Sequence, residues 1–237
     1  MKQITIILAV FILAGFSSCR KVSGEGPIIT ETRNETGFSG VAISIPADVV
    51  YKQSATYKVE IKAQRNIIDL IESPVVNGEL RLRFKHNVNL RSYDKVIVTI
   101  SSPDIYSLSL SGSGRLDVSD PIITPRMRLA LSGSANVNID SLKSAGRIET
   151  VVSGSGNVSI RSGSSLQTDI LVSGSGKINM EGVVANNADV SISGSGDVRS
   201  NAQQNLKVRI SGSGSLYYRG TPSITSNISG SGKVIKL

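Results

Sequence analysis

The tetrapeptide Ser-Gly-Ser-Gly occurs at residues 111–114, 153–156, 173–176, 193–196, 211–214 and 229–232, and Ser132-Gly133-Ser134-Ala135 fills the one gap in the series. Successive copies start 21, 21, 20, 20, 18 and 18 residues apart. A fixed period near 20 residues marks a solenoid, in which each repeat buries its apolar face only against its neighbours.

The flanks of the tetrapeptide decide which solenoid. Leu108, Leu110, Gly112, Gly114, Leu116 and Val118 share one parity, and Leu129, Leu131, Gly133, Ala135, Val137 and Ile139 repeat the pattern. Later copies give Ile170, Val172, Gly174, Gly176, Ile178 and Met180, then Val208, Ile210, Gly212, Gly214, Leu216 and Tyr218. Alternation over about eleven positions predicts strand with one buried face, and it excludes a helical period. A lone strand cannot bury that face. Stacked about 4.8 Å from its neighbours it can, sharing backbone hydrogen bonds between coils. The expected fold is therefore all-β: a single-stranded parallel β-helix of about seven coils, right-handed as such stacks usually are.

The 13 motif glycines (Gly112, Gly114, Gly133, Gly154, Gly156, Gly174, Gly176, Gly194, Gly196, Gly212, Gly214, Gly230 and Gly232) fall on the inward parity, where a side chain collides if the chain bends. The first glycine never varies among the seven copies and is expected to supply φ > 0. Ala135 at the second position argues that small size is what matters there. The serines are expected to face outward as a hydroxyl ladder. With 13 of the 23 glycines in periodic positions, the glycine content is structural and not that of a flexible linker.

Residues 1–19 read as an export signal. Lys2 precedes a mainly apolar run over residues 4–16, too short for a stable bilayer-spanning helix, and Phe16-Ser17-Ser18-Cys19 closes it. Cys19, the chain's only cysteine, sits behind two small residues as in a lipobox, where the thiol is lipidated and becomes the mature N-terminus. Disulfides are thereby excluded in spite of the oxidising compartment. Residues 20–36 are expected to be a polar tether.

Residues 37–107 are expected to be an N-terminal β cap, because an open solenoid end presents unpaired strand edges. Val41, Ile43 and Ile45 alternate, as do Val49 and Tyr51, then Tyr57, Val59 and Ile61. Ile67, Ile68 and Ile71 predict one short amphipathic helix over residues 64–73, ended before Pro74. Asn77-Gly78 predicts a hairpin turn. Residues 108–237 hold the repeats. At the far end Pro222, Lys233 and Lys236 guard an edge that Ile228, Val234, Ile235 and Leu237 leave apolar. The favoured expectation is that the last coil folds over itself; capping by a partner or by a second copy is the alternative.

The lipobox, Phe38-Ser39-Gly40-Val41, Val49-Val50-Tyr51-Lys52-Gln53, Asn77-Gly78-Glu79-Leu80 and the tetrapeptide array together resemble the auto-transporter adhesin head GIN-domain family of bacteria (DUF2807). The resemblance covers roughly residues 37–237. It implies a β-helical, adhesin-like surface protein, often lipid-anchored, of Bacteroidetes-type bacteria, and it brings no catalytic or binding residues with it.

Chemistry is sparse. Parallel β-helices also host polysaccharide-cleaving enzymes, which need clustered carboxylates. Asp117 and Asp197 follow their motifs closely, yet the position after the motif holds Arg115, Asn136, Asn157, Lys177, Asp197, Ser215 and Lys233. No catalytic residues are assigned. His86, the only histidine, is expected on a cap strand over residues 80–90, and with no second histidine and no free cysteine neither a metal site nor a cofactor is expected. The net charge is +8, and Arg126, Arg128, Arg199, Lys207 and Arg209 could line a face for anionic ligands. Nucleic acid is excluded as a partner by the export signal and by the lack of aromatic interleaving.

The leading expectation is a non-enzymatic envelope protein, lipid-anchored to the outer membrane and facing periplasm or cell surface, that binds glycan or another surface component. A periplasmic scaffold for an envelope protein is the second reading, and a polysaccharide-active enzyme the third.

Overall fold

The alternating stretches beside each tetrapeptide form strands that stack in parallel, one rung per repeat, in the computed structural model, which describes residues 21–237. In chain order the first elements are β1 (Lys21–Ser23), β2 (Ile28–Arg33), β3 (Gly40–Ile43), β4 (Ala47–Gln53), β5 (Lys58–Gln64), α1 (Arg65–Ile68), β6 (Ile71–Glu72), β7 (Val75–Val76), β8 (Glu79–Phe84), β9 (Asn89–Ser92) and β10 (Val96–Ser102). The repeats follow as β11 (Ser107–Gly112), β12 (Arg115–Val118), β13 (Ile122–Gly133), β14 (Asn136–Gly154), β15 (Asn157–Gly174), β16 (Lys177–Gly194), β17 (Asp197–Gly212), β18 (Ser215–Arg219), β19 (Ser223–Gly230) and β20 (Lys233–Lys236). The parallel β-solenoid expected from the repeats is the fold, with about six turns between the seven tetrapeptide corners.

The period fixes the register. Leu131 lies beside Val152, and Val152, Val172, Ile192 and Ile210 follow in one buried row. Each such aliphatic side chain contributes about 1.5–3 kcal/mol by leaving water. Inward parity changes twice per turn. In β16 the buried residues are Ile178 and Met180, then Val183 and Ala185, then Ala188, Val190 and Ile192. Every coil therefore has three faces: a trailing face after the tetrapeptide, a short face, and a leading face that runs back into the next tetrapeptide. At the corner between short and leading faces, buried hydroxyls satisfy the backbone. Thr124 donates to the Arg126 carbonyl at 2.8 Å, Ser144 to Arg147 at 3.2 Å and Ser165 to Gln167 at 3.2 Å.

The two motif glycines do different things. Gly174 has φ +120°, and its carbonyl accepts the Ser195 N–H of the next rung at 2.9 Å. A Cβ on Gly174 would point along the stack, 2.5 Å from the Gly154 oxygen, and not into the core. The second glycine of each pair is the one that faces inward. A Cβ on Gly196 would stand 2.5 Å from the Gly176 oxygen and 2.6 Å from a Val172 methyl. All fourteen motif serines are exposed.

Residues 37–107 do more than cap. β3 pairs in parallel with β11 on one side and β8 on the other, and β4 lies in parallel between β12 and β10. This region thus supplies two further rungs, stacked against chain order: β8 and β10 lie beneath β3 and β4, which lie beneath the first repeat. Residues 103–106 climb past that rung, with Ile105 fully buried. The true end is antiparallel, β10 pairing with β5 and β5 with β2. Gln53 closes the edge of the short face: its amide donates to the Ile123 carbonyl at 3.1 Å and accepts the Ile123 N–H at 2.9 Å. Tyr51, fully buried, shares a 2.9 Å hydrogen bond with the Ser102 hydroxyl.

Several local expectations need correction. The helix predicted over residues 64–73 is a single turn, α1. Ile71 and Glu72 leave it to pair antiparallel with Phe84 and Arg83, and Glu72 forms a 2.9 Å ion pair with Arg83. His86 lies in an exposed turn after β8, where Asn87 takes φ +62°, and not on a strand. The stretch expected as a tether, residues 20–36, contributes β1 beside β9 and β2 beside β5. The last coil does not fold over itself: all eight residues of β19 are exposed. The hairpin at Asn77-Gly78 forms, with Val76 opposite Glu79.

Candidate functional site

The leading face shows the widest aligned surface, residues 126–133 pairing in register with β14 where the trailing face pairs only residues 136–139 with β15. Its strands run into the tetrapeptide corner, so every second side chain points outward and in-register stacking sorts these into rows. One row holds Ser132, Ser153, Ser173, Ser193, Ser211 and Ser229. The next holds Ala130, Val151, Leu171, Ser191, Arg209 and Asn227, and the next Arg128, Glu149, Asp169, Asp189, Lys207 and Thr225. A shallow groove of about 570 Å³ crosses the middle rungs, bounded by Arg147, Val151, Asp169, Leu171, Ser191 and Arg209.

The charges on this face largely neutralise one another between rungs. Arg128 pairs with Glu149, Arg147 with Asp169 at 2.8 Å, and Arg209 with Asp189 at 2.9 Å. Gln167 donates to Asp169 at 2.7 Å, and Asn205 to Asn187 at 2.8 Å. Each exposed pair contributes at most about 1 kcal/mol, but together they fix a polar surface with little net charge. At its centre Leu171 is 45 % exposed.

The five cations singled out from the sequence do not form one stripe. Arg126 and Arg128 lie on β13, whereas Lys207 and Arg209 lie on β17, four rungs away, with Glu149, Asp169 and Asp189 between. Arg126 stacks on the Tyr106 ring at 5.3 Å. Arg199 belongs to the trailing face, where it pairs with Glu181 at 3.1 Å and lies 5.4 Å from the Tyr217 ring centre. The two aspartates also lie apart. Asp117 and Asp197 occupy different rows four rungs from each other, roughly 19 Å at the spacing of stacked strands, too far for two carboxylates to act on one glycosidic bond. Asp117 accepts from Asn138 at 2.8 Å. Among the described residues no three potential metal ligands come together, and no helix is long and apolar enough to cross a membrane. Cys19 and the leader lie outside the described residues.

What the sequence reading missed on this face is its apolar centre. The signal was present: in Thr150-Val151-Val152 and Ile170-Leu171-Val172 apolar residues occupy both parities, so one of each must face outward.

An in-register solenoid with a broad ladder face defines an elongated repeat protein. The chain belongs to the family described as putative auto-transporter adhesin, head GIN domain (DUF2807), which matches residues 37–222. Among solved structures, the fold is shared with a putative adhesin from Bacteroides fragilis NCTC 9343, 24 % identical, with a TM-score of 0.84 over 91 % of this chain and 100 % of that one. It is shared also with a putative lipid binding protein from Parabacteroides distasonis ATCC 8503, 24 % identical, TM-score 0.75, over 92 % of this chain and 100 % of that one. A third is a putative adhesin from Parabacteroides merdae ATCC 43184, 22 % identical, TM-score 0.74, over 92 % and 99 %. At these identities the likeness is one of fold. None of the curated proteins matches the chain.

Proposed function

We propose that this chain is a non-enzymatic envelope protein, lipid-anchored through Cys19 to the outer membrane, whose leading face binds a glycan or another surface component in an adhesin-like manner. The observation that carries this reading is the ladder itself: exposed serine hydroxyls beside an apolar strip at Val151 and Leu171, flanked by carboxylates and amides held in place by bonds within and between rungs. A sugar chain offers the matching chemistry, with hydroxyls to bond and apolar ring faces to cover the strip. The family description and the adhesin-like neighbours of the same fold support the class of function. The near-neutral pairing of charges favours an uncharged polar ligand over a polyanion.

The test has two parts. Protease treatment of intact producing cells, followed by blotting, is expected to remove the protein; complete protection until lysis would turn the reading toward a periplasmic scaffold. A glycan array is then expected to show binding that is lost in Val151→Asp/Leu171→Asp, with unchanged circular dichroism. Binding that survives this double substitution would move the site off the leading face.

A further inference from the structure

The stack ends asymmetrically. At the N-terminal end the outermost strand of the sheet, β2, is antiparallel to its neighbour and carries Glu31 and Arg33, the kind of charge that keeps edges from pairing. At the other end β19 is held by β17 on one side only. Its sequence, Ser223-Ile224-Thr225-Ser226-Asn227-Ile228-Ser229-Gly230, holds no charge, and all eight residues are exposed. Ile224 and Ile228 continue the buried rows of Leu206 and Ile210, yet each is 40 % exposed. The core therefore runs out of cover while its edge offers a row of unpaired backbone groups.

That edge is self-complementary. Read from either end about Ser226, the strand gives Ser, Ile, a small polar residue, Ser, a small polar residue, Ile, Ser. Antiparallel pairing of two copies centred on Ser226 sets Ile224 opposite the second copy's Ile228, Ser223 opposite Ser229 and Thr225 opposite Asn227. The inward residues Ile224, Ser226 and Ile228 then meet their own counterparts. Directly opposed residues in an antiparallel pair share one side of the sheet, so the apolar row ending at Ile210 and Ile228 passes straight into Ile224 and Leu206 of the second copy. No like charges face each other along β19.

We infer that the exposed β19 edge is a homodimer interface, in which two copies of this chain join end to end through an isologous antiparallel pairing about Ser226. A two-fold contact uses the same patch on both copies and closes on itself. It leaves the leading faces of both copies open and doubles the length of the ladder. A head-to-tail filament would instead press β19 against the charged, antiparallel N-terminal end.

The test uses residues 20–237, which hold every strand pairing described. Sedimentation velocity is expected to give a mass of two chains, falling to one chain in Ile224→Lys/Ile228→Lys with an unchanged far-ultraviolet spectrum. A second variant reads the register. Ser226→Cys is the sole thiol in this chain, because Cys19 is the only native cysteine. Across the two-fold the two introduced thiols face each other, and mild oxidation is expected to give a covalent dimer that a reductant dissolves. Ser215→Cys, on the trailing face, is expected to give none. A monomeric unsubstituted chain leaves the edge to a strand of some other protein and overturns the inference. A dimer that survives the double lysine substitution, or that fails to cross-link through position 226, overturns it as well.

Discussion

Gly112 and Gly174 occupy the same position of the same motif, with φ +92° and +120°, but only one has a neighbour. A Cβ on Gly112 meets nothing within 4 Å, whereas one on Gly174 stands 2.5 Å from the Gly154 oxygen and 3.2 Å from the Gly154 carbonyl carbon. Gly112→Ala therefore carries only the strain of a side chain at positive φ, about 1–2 kcal/mol. Gly174→Ala carries that strain and must also move a backbone oxygen by about 0.9 Å to reach ordinary contact. The same oxygen accepts the Ser175 N–H at 2.9 Å, so the ladder bond goes with it, at about 1 kcal/mol net, beside overpacking of about 1–3 kcal/mol. The expected excess of Gly174→Ala over Gly112→Ala is about 2–4 kcal/mol. For a chain of this size that corresponds to a further drop in Tm on the order of 5–15 °C. Urea titrations followed by circular dichroism, with thermal melts beside them, read both variants. Equal destabilisation would refute the argument, because the inter-rung contact would then contribute nothing and backbone strain would account for the motif glycine alone.

Burial pushes the Tyr51 phenol up to about 12 from its ordinary value of 10.0, partly offset by the Ser102 hydrogen bond. Below pH 10 the phenol is protonated in folded and unfolded chains alike and its contribution is fully present; between pH 10 and 12 only the unfolded chain ionises it, so stability falls as pH rises. Urea midpoints against pH should show this decline in the unsubstituted chain and a shallower one in Tyr51→Phe; parallel curves would contradict it. Thr150 is fully buried, and its hydroxyl reaches only the Met180 sulfur at 3.6 Å. Thr150→Val should leave the urea midpoint unchanged or raise it, since a weak acceptor is all that is lost, and a loss above about 1 kcal/mol would show a stronger partner for the hydroxyl. Glu181 joins Arg199 and Arg219 at the surface. Glu181→Gln should cost less than about 1 kcal/mol in the same titration, whereas a larger cost would mean that the pair holds the trailing face together.

Much of this molecule is legible in its sequence because the repeat couples local and long-range information. A step of 18 to 21 residues names each residue's neighbour in the next rung, so Val152 beside Val172 follows from counting. Alternation names the buried face, and the glycine pair names the corner. Residues 37–107 have no such step. Their strands were visible one by one, but nothing local says that Ala47 lies beside Val96 or Gly40 beside Glu79, because those partners are set by loop closure and by which apolar faces remain uncovered. The overlong helix prediction has the same origin: Ile67, Ile68 and Ile71 suit a helical face, and the antiparallel partner β8 draws Ile71 into a strand.

The candidate face divides in the same way. Counting along the repeat already places the serine row and the apolar strip of Val151 and Leu171. That Arg128, Arg147 and Arg209 are each answered by a carboxylate one rung away depends on side-chain reach across neighbouring coils, and it turns an apparent basic stripe into a near-neutral surface. The sequence alone determined the solenoid, its period and its inner rows, since these follow from spacing and parity. Only the tertiary structure decided the stacking order of the first coils, the three-faced section and the unprotected last edge, because each depends on which surfaces meet once the chain has closed on itself.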